Sequence, residues 1–131
     1  MFRLNPNVDI ETHPYIATGL HNNKFGMAFS DLPDLEEIIL KNQDILSFKG
    51  VSLHLGSQMH NLAGFRQAVQ ILREVFVNLQ KRFASVDTFD VGGGLGIFYD
   101  KQDLPQEENL LISYAAIVRE ADPDDAVLRH G

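Results

Sequence analysis

The sequence predicts an α/β fold of parallel strands and crossover helices, about three consecutive βα units of a (β/α)8 TIM-type barrel. Three observations predict it. Short runs of period-two alternation take turns with longer runs of helical spacing, the order expected of βαβ units. Each strand-like run carries one apolar and one polar face. Glycine-containing turns follow two of the strands, at Gly56-Ser57-Gln58 and at Gly92-Gly93-Gly94-Leu95-Gly96.

Residues 2–5 alternate apolar and polar and read as a first strand, which Pro6 ends because it lacks an N–H for pairing. Residues 7–23 form a polar connection containing His13-Pro14 and Gly19, and Lys24 to Phe29 is a short, largely apolar stretch. A helix starts next. Ser30 or Asp31 is placed to cap it, Pro33 is tolerated in its first turn, and Leu32, Leu35, Ile38 and Ile39 give it an apolar face. Val51 to Leu55 is a period-two strand. Leu62, Phe65, Val69, Leu72, Phe76, Leu79 and Phe83 then recur at alternating spacings of three and four, the strongest helical signal in the chain. That spacing also suits a coiled-coil seam, but the run is short for one, and a helix packed on a sheet is the preferred reading. Val86 to Val91 is the third strand. Pro105 opens a last helix with Leu110, Leu111, Tyr114, Ala115 and Val118 on its apolar side, ending near Ala121-Asp122-Pro123. Residues 126–131 fit either the start of another strand or a loose tail.

The strand faces separate two architectures. Phe2 and Leu4 oppose Arg3 and Asn5; Val51, Leu53 and Leu55 oppose Ser52 and His54; Phe89 and Val91 oppose Thr88 and Asp90. Strands of a doubly wound sheet are covered by helices on both faces and tend to be apolar throughout. In a barrel the second face points inward, and polar residues gather toward the rim where the βα loops build active sites. The pattern favours the barrel, with both glycine turns on that rim. A whole barrel takes roughly 250 residues, so residues 1–131 are expected to be either a segment of one barrel domain, the preferred reading, or a small open α/β domain.

Composition narrows the partners. A net charge of −7 repels a nucleic-acid backbone, and no apolar run approaches a membrane span. The chain has no cysteine, which removes disulfides, thiol nucleophiles and Cys-based zinc sites and fits a cytoplasmic location. The five histidines lack metal-ligand spacing, so no metal is expected.

The glycine run has two readings, a flexible turn or a backbone that wraps an anion with its N–H groups. It is not a Walker loop, since no Lys-Ser/Thr follows, and Ile97 stands where a dinucleotide fingerprint needs its last glycine. Ser57 on the neighbouring turn offers a hydroxyl donor. His54, on a polar strand face two residues before a glycine, is either a hydrogen-bonded structural histidine or a group that stacks on a cofactor or moves a proton. Asp90 reads chiefly as a structural carboxylate paired with Arg3 or with backbone N–H groups. Lys24 reads chiefly as a surface or ion-pairing lysine.

His54-Leu55-Gly56-Ser57-Gln58, followed some way on by Asp90-Val91-Gly92-Gly93-Gly94-Leu95-Gly96-Ile97, resembles the alanine-racemase-type barrel of the pyridoxal 5'-phosphate (PLP)-dependent ornithine, arginine and diaminopimelate decarboxylases. Upstream, Arg3-Leu4-Asn5-Pro6-Asn7-Val8-Asp9, Thr12-His13-Pro14-Tyr15-Ile16-Ala17-Thr18-Gly19-Leu20 and Lys24-Phe25-Gly26 are most similar to the diaminopimelate branch. The resemblance runs over about residues 2–121.

The resemblance implies roles. His54 matches the histidine that stacks on the PLP ring, Ser57 and Gly94 match positions that hold its phosphate, and Gly92 and Gly93 shape that turn. Lys24 matches a lysine near a dimer interface and not the lysine to which PLP is joined. It further implies a small amino-acid substrate, a homodimer in the full-length enzyme, and decarboxylation of meso-diaminopimelate to lysine. The lysine that anchors PLP is expected upstream of residue 1. A Glu-Pro-Gly-Arg motif is expected just after the last helix, where the chain instead reads Asp124-Asp125-Ala126-Val127-Leu128. The C-terminal β domain is not in this chain, so these residues are expected to be inactive alone. Another decarboxylase of the same barrel group, or a non-catalytic phosphate-binding domain, are the alternatives.

Overall fold

The computed structural model describes residues 1–8, 25–100, 103–122 and 127–129. Four strands lie side by side: β1 (Phe2–Arg3), β2 (Gly50–Ser52), β3 (Thr88–Asp90) and β4 (Val127–Arg129). Their spatial order is their chain order, and every pair is parallel. A doubly wound sheet reverses its strand order at a switch point; the described strands advance in one direction only, as they do in a barrel wall. The expected segment of a barrel is what forms. Val127–Arg129, which the sequence left between strand and tail, pairs with β3 as a strand.

The register explains the two faces. Phe2 pairs with Val51 and Val51 with Phe89; Arg3 pairs with Ser52 and Ser52 with Asp90. Side chains in one such row project to the same side. Val51, Leu53, Phe89 and Val91 are buried with Leu4 in a single core. Ser52, His54 and Asp90, on the alternate positions, stay partly or fully exposed.

The helix layer covers the apolar face. α1 (Leu32–Lys41) follows a 3-10 turn at Phe29–Asp31. Asp31 precedes the helix as expected, but its carboxylate is turned backward, where it accepts from the Ala28 N–H at 3.3 Å and the Ser30 hydroxyl at 3.2 Å. α2 (Ala63–Arg82) buries Phe65, Val69, Leu72, Phe76 and Leu79 of the stripe read from the sequence, with Ala68 added, and half-buried Leu62 and buried Phe83 flank its ends. Phe76 stacks on Phe89, centroids 5.5 Å apart, which seats α2 directly on β3.

α3 (Leu104–Ala121) differs in phase from the expectation. Leu111 and Ala115 face outward, while Ile117, Val118 and Ala121 are buried and Tyr114 is half-buried. Positions 114, 117, 118 and 121 form one stripe at helical spacing. The cause is docking at the C-terminal half: Arg66 of α2 pairs with Glu120, and Arg73 Nε donates to the Ala121 carbonyl at 2.5 Å.

Candidate functional site

The site is built where β2 and β3 end on the same rim. After Ser52 the chain runs on beside β3, with the Leu53 N–H donating to the Asp90 carbonyl at 2.9 Å. His54 comes next and is exposed on the polar face. Its carbonyl accepts from Arg3 Nη2 at 3.2 Å, so β1 holds the backbone just beyond β2. Arg3 thus serves His54 rather than Asp90.

Two turns then meet. The Met59 N–H donates to the Gly94 carbonyl at 3.0 Å and the Gly96 N–H to the Met59 carbonyl at 2.9 Å, a parallel bridge between the rim loops. Gln58, at φ 60, adds its side chain: Oε1 accepts from the Ile97 N–H at 3.0 Å and Nε2 donates to the Tyr99 hydroxyl at 3.3 Å. His60 packs edge-on against Phe98. The loops are one platform.

Two glycines make the approach possible. Gly94, at φ +95, lies so close to the other turn that a Cβ would fall 1.8 Å from the Gly56 carbonyl oxygen and 3.3 Å from Ser57 Cα. At Gly92, φ +72, a Cβ would fall 2.4 Å from the Leu53 oxygen and 3.2 Å from His54 Cα. Both conformations are in the left-handed region that favours glycine. The same distances show that His54, Ser57, Gly92, Gly93 and Gly94 are brought together, although 35 or more positions separate His54 and Ser57 from the glycines. Lys24, the dimer-interface candidate, lies outside the described residues.

Gly92 is held on both sides. Its N–H donates to Asp90 Oδ1 at 2.8 Å, and its carbonyl accepts from the Tyr114 hydroxyl at 3.1 Å. The Tyr114 ring lies on buried Phe65, with centroids 4.8 Å apart. Burial first, and the Asp90 charge second, raise the Tyr114 phenol above its ordinary value, so at neutral pH it remains a hydroxyl that can donate. Asp90 is the backbone-paired carboxylate that the sequence suggested, and an aspartate two residues before a glycine is a recognised turn signal. Tyr114 carried no such signal, because its helical position reads simply as core.

The geometry suits an anionic group beside a flat ring. Among the described residues, the N–H groups of Gly93, Gly94 and Leu95 have no hydrogen-bond acceptor. The exposed Ser57 hydroxyl adjoins them, and the His54 imidazole stands on the strand below the same rim. Backbone donors with no acceptor, gathered in a turn, are the donor set a phosphate takes, and the residues present therefore fit PLP. Among the described residues no group of His, Asp or Glu is arranged to hold a metal, and no helix is long and apolar enough to cross a membrane.

The chain is 40% identical over 101 residues to a diaminopimelate decarboxylase of Campylobacter jejuni, covering 77% of this chain and 25% of that protein. It is 37% identical over 109 residues to one of Archaeoglobus fulgidus, covering 83% and 26% respectively. The crystal structure of diaminopimelate decarboxylase from Helicobacter pylori complexed with L-lysine superposes with a TM-score of 0.73 at 32% identity, over 98% of this chain and 32% of that one. The chain thus spans about a quarter of the length of the curated relatives it matches. Residues 1–126 match the family described as "Pyridoxal-dependent decarboxylase, pyridoxal binding domain". With nearly its whole length matched, the chain belongs to the pyridoxal-binding domain family of the pyridoxal-dependent decarboxylases.

Proposed function

We propose that these residues form the ring-stacking and phosphate-holding half of a PLP site in a decarboxylase that converts meso-diaminopimelate to lysine. The observation that carries this reading is the meeting of the His54 strand end with the Ser57 and Gly92–Gly94 turns on one barrel rim. The names of the relatives in two bacteria and an archaeon supply the substrate class.

Each residue has a part. The imidazole of His54 would stack on the cofactor ring and shield that side from water. The Ser57 hydroxyl and the N–H groups of Gly93 and Gly94 take the phosphate. Because the turn is already closed by the bridge to Met59 and by the two bonds on Gly92, little backbone ordering remains to be done on binding, which favours affinity. When bound, PLP supplies an electron sink for the carbon from which CO2 departs. On this reading the lysine expected to anchor PLP is supplied from outside these residues. A second subunit at the Lys24 end, and a cytoplasmic location, complete the reading.

One pair of assays tests it. The 131-residue chain alone should bind PLP and release no CO2 from meso-diaminopimelate. Grafted in place of the matching quarter of the Campylobacter jejuni relative, it should support CO2 release. A folded hybrid that binds PLP without turnover would contradict the decarboxylase assignment and favour a binding role; turnover by the chain alone would contradict the division of the site.

A further inference from the structure

Tyr114 stands on the helix layer, on the far side of the sheet from the open polar face, yet it reaches the first glycine of the rim turn. Its bond falls on the Gly92 carbonyl, and that carbonyl shares a peptide plane with the Gly93 N–H. Peptide units are planar, and no cis bond occurs among the described residues. In a trans unit the C=O and the N–H point in opposite directions. A carbonyl drawn toward α3 therefore turns the Gly93 N–H away from the helix layer.

The neighbouring unit is fixed as well. Asp90 Oδ1 takes the Gly92 N–H, so the peptide planes on both sides of Gly92 are set by side chains from different elements. Without these bonds a glycine at φ +72 has other conformations open to it, and the N–H beyond it would sample several directions. The Tyr114 ring is itself immobilised on Phe65, which is fully buried in α2. The path from core to rim is continuous: α2 holds the ring, the ring presents the hydroxyl, and the hydroxyl sets the peptide.

We infer that Tyr114 is a positioning residue of the phosphate cradle, acting through the Gly92–Gly93 peptide to aim the Gly93 N–H at the ligand's phosphate. This rests on the PLP reading above. The inference assigns Tyr114 no contact with PLP or substrate. It also explains why a hydroxyl is placed on an otherwise apolar helix stripe, where phenylalanine would pack as well.

The test compares two probes on the full chain, PLP and pyridoxal, the second of which lacks the phosphate. Tyr114→Phe keeps the ring on Phe65 and removes the hydroxyl, and far-UV circular dichroism checks that the variant is folded. The expected result is about fivefold weaker binding of PLP, the size of one lost hydrogen bond, with pyridoxal binding unchanged. Equal PLP affinity in the two proteins overturns the inference. A parallel loss for both probes also overturns it, because it would mark a general packing role. If the unaltered chain prefers PLP to pyridoxal and the variant behaves identically, only the inference fails; if the unaltered chain shows no preference, the phosphate-cradle reading fails and takes the inference with it.

Discussion

Gly94→Ala should destabilise the chain by about 3–5 kcal/mol and abolish its preference for PLP over pyridoxal. The atom the new methyl meets is backbone: the Gly56 carbonyl oxygen at 1.8 Å, with the Gly56 carbonyl carbon at 2.9 Å. Neither can rotate aside. The φ of +95 adds strain of about 1–3 kcal/mol for a residue with a Cβ. To relieve the clash the two rim turns must separate, and the bonds joining Met59 to Gly94 and Gly96 are then lost at about 1 kcal/mol each. Gly96→Ala is the built-in control. There the methyl meets the His60 ring at 2.6–2.8 Å, the end of an exposed side chain that can swing away. Its cost should stay under about 1 kcal/mol. Urea unfolding of the two variants reads the contrast directly, and a Gly94→Ala protein as stable as Gly96→Ala would contradict the close-approach account.

Phe76→Ala should cost about 3–5 kcal/mol without changing the relative affinities for PLP and pyridoxal in the protein that remains folded. Phe76 is 1% exposed and stacks on Phe89, with Arg73 over its ring at 5.9 Å. Removing it leaves a cavity between α2 and β3 that the surrounding backbone fills only in part. Its contacts lie in the core beneath the strands, whereas the cradle is built of rim bonds. Stability and phosphate preference should therefore come apart: Phe76→Ala loses much of the first and keeps the second, whereas Tyr114→Phe weakens the second about fivefold and costs stability only about one hydrogen bond. A loss of less than about 1 kcal/mol in urea unfolding would show that α2 is not seated on β3 as described.

Much of the framework was legible because it is repetitive. The α2 stripe was readable since Phe65, Val69, Leu72, Phe76 and Leu79 repeat the same side of one helix and all pack inward. The split of Val51 and Leu53 from Ser52 and His54 was readable since alternation across a strand needs no tertiary information. α3 was harder. Leu110, Leu111, Ile112, Ala115 and Ile117 place apolar groups on several sides, and only docking of its C-terminal half against Arg66 and Arg73 selects the buried one. β4 lies in a stretch, residues 126–131, with no adjoining alternation long enough to separate a strand from a tail.

The site was legible in its parts and not in its joints. The glycines, Ser57 and His54 stood out by residue type, and the resemblance to PLP-dependent decarboxylases gave them roles. What fastens them is dispersed: Gln58 to Ile97, Met59 to Leu95, and Asp90 and Tyr114 on either side of Gly92. Each is a pairing between segments far apart in sequence, fixed only once the sheet and helices have assembled. No local pattern announces a pairing of that kind, and Tyr114 in particular looks like one more core residue of its helix.

On the proposed reading, the rim turns form a phosphate cradle beside a histidine that stacks on the PLP ring. The most direct measurement is a titration of the chain with PLP, and separately with pyridoxal, followed by nuclear magnetic resonance at assigned backbone amides and at the His54 imidazole. PLP should shift Ser57, Gly93, Gly94 and His54 together with one apparent affinity, while pyridoxal should move His54 and leave the Gly93 and Gly94 amides in place. Amides at Gly93 and Gly94 that ignore PLP, or that answer PLP and pyridoxal alike, would contradict the account.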